Sequence, residues 1–257
     1  FNKHRWFRKK NHKKTSCIIV VSLFGQIPDI KKLKIIKKKY KIPIIEDAAQ
    51  SFGAMYKNQK SCGIFDIGCT SFFPTKSLGC FGDGGAIFTK EKKLYEKFKQ
   101  IRQHGQKKKY YFDIKGLNAR LDTIQAVVLI EKLKNFNKNL KLKKRLYLLY
   151  KKHLKENENI KFLNLKKNYY SCYPLLNVLV KNRNKLRNYL KDQNIGTNIY
   201  YPLILSKQKI FKKLSMNRKM PRSKKISQEI LSLPFHLSMN EKQVKFVSNK
   251  IKKFYNK

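Results

Sequence analysis

Between Cys17 and Glu46 the hydrophobic period of this chain changes twice, and that pattern leaves few folds open. Cys17–Leu23 is a continuous, β-branched apolar run, fit for a strand buried on both faces. Ile30, Leu33, Ile36 and Tyr40 then recur at the spacing of one helix face, predicting a helix over Ile30–Tyr40. Pro43 opens a second strand, Ile42–Glu46. Strand, helix and strand in this order predict a right-handed crossover in a parallel sheet. Ligands of such sheets sit beyond the carboxyl ends of the strands, which is where Asp47 falls. Ile67–Phe73 and Gly85–Phe88 read as the next strands, and Glu91–His104 as a helix.

The chemistry-bearing residues lie at those strand ends. Asp47 and Gln50 stand in Ile-Pro-Ile-Ile-Glu-Asp-Ala-Ala-Gln-Ser-Phe-Gly. Lys76 follows in Ser-Phe-Phe-Pro-Thr-Lys-Ser-Leu-Gly, ahead of Gly82-Asp83-Gly84-Gly85. An apolar strand ending in an acid, with a lysine on a glycine-rich turn downstream, is what pyridoxal phosphate (PLP) chemistry requires. The carboxylate keeps the pyridine nitrogen protonated, while the lysine reaches the aldehyde carbon across the ring as a Schiff base. By residue type alone Lys76 is one surface lysine among many and Asp47 a turn or capping aspartate; the context of both favours the site. Glu46 alternates to the other side of its strand and reads as structural. No GxGxxG follows a strand, so a dinucleotide fingerprint is not indicated.

With these residues in place, the chain resembles the DegT/DnrJ/EryC1/StrS family of PLP-dependent nucleotide-sugar aminotransferases. Five segments carry the likeness in order: Val21–Gln26, Glu46–Ala54, Ser71–Lys76, Gly82–Ala86 and Asn118–Ala126. Ser61-Cys62 and Thr70-Ser71-Phe72-Phe73 look most like enzymes that aminate C3 of a UDP-3-keto-N-acetylglucosaminuronic acid. The resemblance implies an α/β chain of the PLP-dependent transferase fold type I, with a mostly parallel large domain and a small α+β C-terminal domain. It implies Lys76 as the catalytic amine, and Asp47, Gln50, Ser71, Lys76 and Asn118 as cofactor contacts, Asn118 reaching the phosphate of a dimer partner. Arg120, His104, Tyr200 and Tyr201 are implied near the substrate. For His104-Gly105 a helix C-cap is an equal alternative. Tyr200 and Ser206 stand where family members often carry histidines, which bears on the sugar. The implied reaction moves an amino group from glutamate to a UDP-linked keto-sugar for surface-polysaccharide (LPS or O-antigen) biosynthesis, in a cytoplasmic homodimer. A PLP-dependent sugar dehydratase, and a catalytically impaired chain that survives as a remnant or as a basic binding module, are the alternatives.

Composition bears on what remains. The formal charge of +46 invites a nucleic-acid reading, but the 61 Lys and Arg are spread along the chain, and no zinc-finger, RRM or KH pattern appears. Specific nucleic-acid binding is therefore not expected, although nonspecific polyanion binding at low salt is. The longest apolar runs are too short to span a bilayer. The five cysteines form no CxxC pair and no cluster with histidine, so no metal is expected, and they read as small, buried, reduced thiols.

Three segments follow. Phe1–Lys14 is an unmatched basic stretch, 15–135 a PLP-binding large domain, and 136–257 a linking helix with the small domain. The linking pattern runs from Thr123 to Leu154 with a bend near Asn135–Asn139. Beyond it, strands are expected at Tyr173–Val180 and Thr197–Tyr201, and helices at Arg183–Gln193 and Glu241–Phe254. The chain begins without Met, and no Gly/Ser/Thr-rich helix N-terminus precedes Cys17 to grip the cofactor phosphate. The expectation is that it is a C-terminal portion of a family member, with the large domain N-terminally incomplete, and that these 257 residues alone hold PLP weakly.

Overall fold

The structure, a computed structural model, describes residues 15–211 and 219–256. The basic stretch 1–14 lies outside the described residues. The chain forms two compact units: one runs to Asn137 and takes back Leu165–Pro174, and the other is Lys138–Asn164 with the chain from Leu175 onward.

In the first unit, β1 (Ile18–Val21) is followed by a 3-10 turn at Leu23–Gly25, α1 (Ile30–Tyr40) and β2 (Ile44–Asp47). The strand stops before the apolar run does because Phe24 and Gly25 turn left-handed, at φ 57° and 75°. Only glycine fits at 25: a Cβ there would meet Pro174 Cδ at 2.4 Å. Helix α1 starts at Asp29, whose carboxylate accepts the Lys32 N–H at 3.3 Å, and buries Ile30 and Ile36. Lys37, Lys38 and Lys39 occupy its last turn, where the helix dipole favours cations.

β1 and β2 pair in parallel, Ile18 opposite Ile44 through Val21 opposite Asp47, with α1 as the crossover between them. β5 (Ile67–Ser71) extends the sheet in parallel, and β6 (Gly85–Thr89) returns antiparallel, giving the order β1-β2-β5-β6. Ile44, Glu46 and Thr70 on one face are buried. On the other, Asp47 and Ser71 are half-buried, while Ile19, Val21 and Ile87 are exposed. A small antiparallel sheet lies beside it: β3 (Met55–Tyr56) pairs β4 (Gln59–Lys60) and β10 (Tyr169–Tyr170). Tyr169 stacks at 4.6 Å on Tyr56 and accepts the Ile30 N–H at 3.2 Å, holding the returning segment to the unit.

Asp66 pins α1 to the start of β2. It accepts the Ile44 N–H at 2.9 Å and pairs with the Lys37 ammonium. Burial raises its pKa, yet the Ile44 amide and Lys37 outweigh that, so the carboxyl sits below its ordinary 3.8. A folded value below the unfolded one gives stability that is fully present above the ordinary value and lost as pH falls through the folded one. Asp66→Asn is therefore expected to lower stability at neutral pH by about 1 kcal/mol in urea unfolding, the deficit shrinking below about pH 4. An equal deficit at pH 3 and pH 7 would assign the loss to something other than the carboxylate charge.

Helix α2 (Lys92–Arg102), the hairpin β7 (Gln106–Lys108) and β8 (Tyr111–Phe112), and α3 (Thr123–Lys134) complete the unit. The expected bend falls at Asn135, after which α4 (Phe136–Leu154) runs into the second unit.

There, β9 (Ile160–Phe162), β11 (Leu176–Val180) and β12 (Ile230–Leu233) form an antiparallel sheet in the order β12-β11-β9. Tyr150 and Leu154 of α4, Leu186 and Leu190 of α5 (Arg183–Asp192), and Val244 and Ile251 of α7 (Glu241–Tyr255) share one core with Leu176, Val178 and Leu231. The Tyr150 hydroxyl donates to Pro234 O at 2.9 Å, and burial pushes its pKa well up. Asn240 and Gln243 cap α7 reciprocally. α6 (Pro221–Glu229) precedes β12.

The strand expected at Thr197–Tyr201 is not formed. Only Asn198 pairs, through two bonds with Ser232, because the chain leaves the sheet edge after that residue. The strand expected from Tyr173 begins at Leu176. None of the five cysteines forms a disulfide; Cys62, Cys80 and Cys172 are buried as expected, whereas Cys17 and Cys69 are only half-buried. Cys69 faces the partly open side of the sheet. No helix among the described residues is long and apolar enough to cross a membrane.

Candidate active site

β2 ends in two carboxylates that point to opposite faces of the sheet. Glu46 faces inward and is fully buried. It accepts the Ser22 hydroxyl at 2.7 Å, the Ser61 hydroxyl at 2.8 Å and the Cys62 N–H at 2.9 Å. Ser61 in turn lies 2.6 Å from the Ser51 hydroxyl. Burial, and then the Glu46 charge, push the Cys62 thiol up to about 12. The turn at Cys62 lies tight on β5: a Cβ at Gly68 would meet Cys62 O at 2.2 Å. Glu46 is thus the structural group that its alternation predicts.

Asp47 faces the other side and is half-buried. Its Oδ1 accepts the Ala49 N–H at 3.1 Å, and its backbone carbonyl accepts the Ser22 N–H. It is in register with Cys69 of the neighbouring parallel strand, so Ser71, two residues on, falls on the same face at the same carboxyl end. Burial and then the Asp47 charge raise the Cys69 thiol. The Ser71 oxygen accepts the Phe73 N–H at 3.2 Å. Lys76 follows on the loop 72–84, half-buried, its backbone N–H bonded to Phe73 O at 2.9 Å. Among the described residues its amine makes no hydrogen bond or ion pair. Gln50 lies past Asp47, and its side-chain oxygen accepts the Phe24 N–H at 2.9 Å, which ties the Leu23–Gly25 turn to the same strand end.

A second group gathers at the end of α2. His104 and Gly105 are both left-handed, at φ 61° and 79°. The Gly105 N–H returns to Gln100 O at 2.9 Å, the long bond of a helix C-cap. The His104 N–H donates to Leu117 O, and Gln103 bridges Asn118, so the cap and the 113–119 segment are stitched together. Gly105 has no space for another residue, because a Cβ would lie 1.7 Å from Ile114 O. The capping alternative for His104-Gly105 thus describes their backbone. Asn118 and Arg120 are exposed.

Gly82, Gly84 and Gly85 close the loop 72–84, where Gly84 O accepts the Phe72 N–H, and none of them is left-handed. Tyr200 and Tyr201 belong to the second unit, where their rings meet edge to face at 5.7 Å. Sequence reasoning passed over Gln125 and Lys132 of α3, which touch the loop of Lys76. Their only signal was polarity on an otherwise apolar stretch. No group of three His, Cys, Asp or Glu able to hold a metal ion occurs among the described residues.

The sequence profile described as "DegT/DnrJ/EryC1/StrS aminotransferase family" matches residues 8–252, beginning inside the stretch that the motifs leave unmatched. The chain is 39% identical over 234 residues to the UDP-2-acetamido-2-deoxy-3-oxo-D-glucuronate aminotransferase of Pseudomonas aeruginosa. That match covers 91% of this chain and 64% of the relative, so the chain spans less than two thirds of that enzyme's length. A crystal structure of a DegT/DnrJ/EryC1/StrS aminotransferase from Brucella abortus superposes with a TM-score of 0.92 at 32% identity, covering 98% of this chain and 68% of that one. NtdA from Bacillus subtilis, crystallised with bound cofactor PMP, gives 0.87 at 25% identity, covering 97% of this chain and 59% of that one.

Proposed function

Because the chain belongs to the DegT/DnrJ/EryC1/StrS aminotransferase family, we propose that it serves as a PLP-dependent aminotransferase of nucleotide sugars. One observation carries the reading. Asp47 and Ser71 end adjacent parallel strands on one half-buried face, and the loop that follows carries a lysine with no ionic partner among the described residues. This donor set fits the cofactor: an acid for its ring nitrogen, a hydroxyl for its phosphate and an amine for its aldehyde carbon.

When bound, PLP supplies an electron sink for the pair left behind as a proton leaves the amino donor. Asp47, steadied by the Ala49 amide, presents its carboxylate to the ring nitrogen and holds a proton there. Ser71 accepts from Phe73 and so has its own O–H to donate to a phosphate oxygen. Lys76 would supply the nucleophilic amine and, once freed, carry the proton between the donor's Cα and the aldehyde carbon as general base and acid. Gln50 braces the strand end through Phe24. His104 and Arg120 are assigned to the substrate side, as are Tyr200 and Tyr201.

The substrate proposed is a UDP-linked 3-keto-sugar of the N-acetylglucosaminuronate type, with glutamate as donor, in cytoplasmic polysaccharide synthesis. The Pseudomonas aeruginosa relative supports that choice. Asn118 is exposed beside the apolar, exposed Ile124, Val127 and Ile130 of α3, which supports a homodimer in which it reaches the partner's cofactor phosphate.

A single experiment tests these readings. Lys76→Ala and Asn118→Ala proteins are assayed for nitrogen transfer from 15N-glutamate to the UDP-keto-sugar, alone and after mixing. Each alone should be weak. The mixture should recover up to about a quarter of wild-type activity, since half the dimers are hybrid and each hybrid rebuilds one complete site. Label transfer without recovery on mixing refutes the shared site, and no transfer by the wild type refutes the aminotransferase.

A further inference from the structure

The base of the loop 72–84 closes on itself. The Phe72 N–H donates to Gly84 O and the Cys80 N–H to Phe72 O, both at 2.8 Å, and the buried Cys80 thiol lies 3.0 Å from the same carbonyl. Gly79 passes so near the ascending limb that a Cβ would meet Pro74 O at 2.6 Å.

The descending limb is held from outside, by one face of α3. The Phe81 N–H donates to Gln125 Oε1 at 2.8 Å. Two turns further along, Lys132 Nζ donates to Gly79 O at 2.6 Å and stands over the Phe81 ring, 4.8 Å from its centroid. Residues at i and i+7 share a helix face, and the buried Leu129 sits between them. Leu78 and Cys80 of this limb are buried, but Phe81 is 73% exposed, so burial of its ring does not hold the outer end of the limb. At Gly79 O and the Phe81 N–H the limb is held by the two polar side chains.

We propose that Gln125 and Lys132 are positioning residues that lock the loop against α3 and so set where Lys76 presents its amine. This rests on the reading of Lys76 as the reacting amine. The loop's own bonds, the buried Leu78 and the Ser77 hydroxyl on the Cys172 thiol define its base, whereas the Gly79–Phe81 stretch would loosen without the helix. A lysine must meet a carbon at one place and orientation, and small displacements there cost rate.

The test uses the full chain without cofactor, by hydrogen exchange and by the labelling rate of Lys76 with trinitrobenzenesulfonate. Both clamp side chains lie outside the core, which leaves Gln125→Leu and Lys132→Met able to fold. Each should speed exchange of the 79–82 amides by about fivefold to tenfold, as expected for losing one hydrogen bond, without affecting β1 and β2. Lys76 labelling should change severalfold, and Gln125→Glu, which keeps an acceptor, should restore both readouts. Unchanged exchange at 79–82, or faster exchange spread evenly over the sheet, overturns the clamp. Faster exchange with unaltered Lys76 labelling overturns the positioning. Failure of the wild-type chain to take up PLP counts against the proposed function alone, because neither readout uses the cofactor.

Discussion

Lys76→Ala should abolish the visible absorbance band that PLP acquires when bound through a lysine, and turnover with it. The substitution removes both the nucleophile and the group that carries the proton, so the rate should fall by about 10^4-fold or more. Among the described residues, the segments that follow β1, β2 and β5 at this end of the sheet carry no other lysine. Spectra of the purified wild type and variant, each with added PLP, decide the matter. A band of undiminished intensity in the variant would place the reacting lysine elsewhere and remove the basis of the site. Unfolding curves should stay close to wild type, because the Lys76 amine makes no hydrogen bond or ion pair among the described residues.

Glu46→Ala should have the opposite profile, a collapse of stability without direct loss of a reacting group. Three donors converge on this buried carboxylate: Ser22, Ser61 and the Cys62 amide. Alanine would strand all three away from water. At about 1–3 kcal/mol for each unsatisfied group, the loss approaches the whole stability of an ordinary domain, about 5–15 kcal/mol. Glu46→Gln keeps an oxygen for the two hydroxyls but turns an N–H₂ toward the Cys62 N–H, and should lose about 1–3 kcal/mol. Urea unfolding followed by circular dichroism measures both. An alanine variant within about 1 kcal/mol of wild type would show that solvent or another group satisfies these donors. Neighbouring carboxylates in one strand thus separate by which face each meets: Glu46 takes a structural task, and Asp47 the face proposed for chemistry.

That separation was readable from the alternation of a strand, as were the limits of α1 and the break at Asn135. In each case a period or a breaker residue carries local information. The crossover strands were legible for the same reason, although Val21 ends β1 early because Gly25 must approach Pro174, a contact far away in sequence. The two-residue strands β3, β4, β8 and β10 leave no period to detect. Ile-Leu-Ser-Leu of β12 is buried on both sides and has no alternation. Thr197–Tyr201 carries strand-forming residues, yet β propensity decides little where the partner strand offers one pairing position. Within the proposed site, residue type and spacing singled out Asp47 and Lys76, and the resemblance singled out Ser71. They could not show that Gln50 braces Phe24, or that Gln125 and Lys132 reach the lysine loop, since both are tertiary contacts over long sequence separations.

The return of Leu165–Pro174 to the first unit bears on how the protein is made. Tyr169 and Tyr170 supply the third strand of the small sheet, Lys166 pairs with Asp29 at 2.8 Å, and the Cys172 thiol lies 3.3 Å from Gln50 O. A ribosome delivers the chain at roughly 5–20 residues per second, N-terminus first. The first unit therefore waits for Pro174 to emerge, past the whole of α4, before its strand set is complete. Until then Tyr56 and the Ile30 amide lack their partners, and the nascent chain carries an open edge. The lysine loop waits less, since α3, which holds Gly79 and Phe81, emerges before Leu165, and the returning segment adds the Cys172 thiol beside the Ser77 hydroxyl. Vectorial synthesis thus orders the reactive loop before the segment that finishes the unit around it.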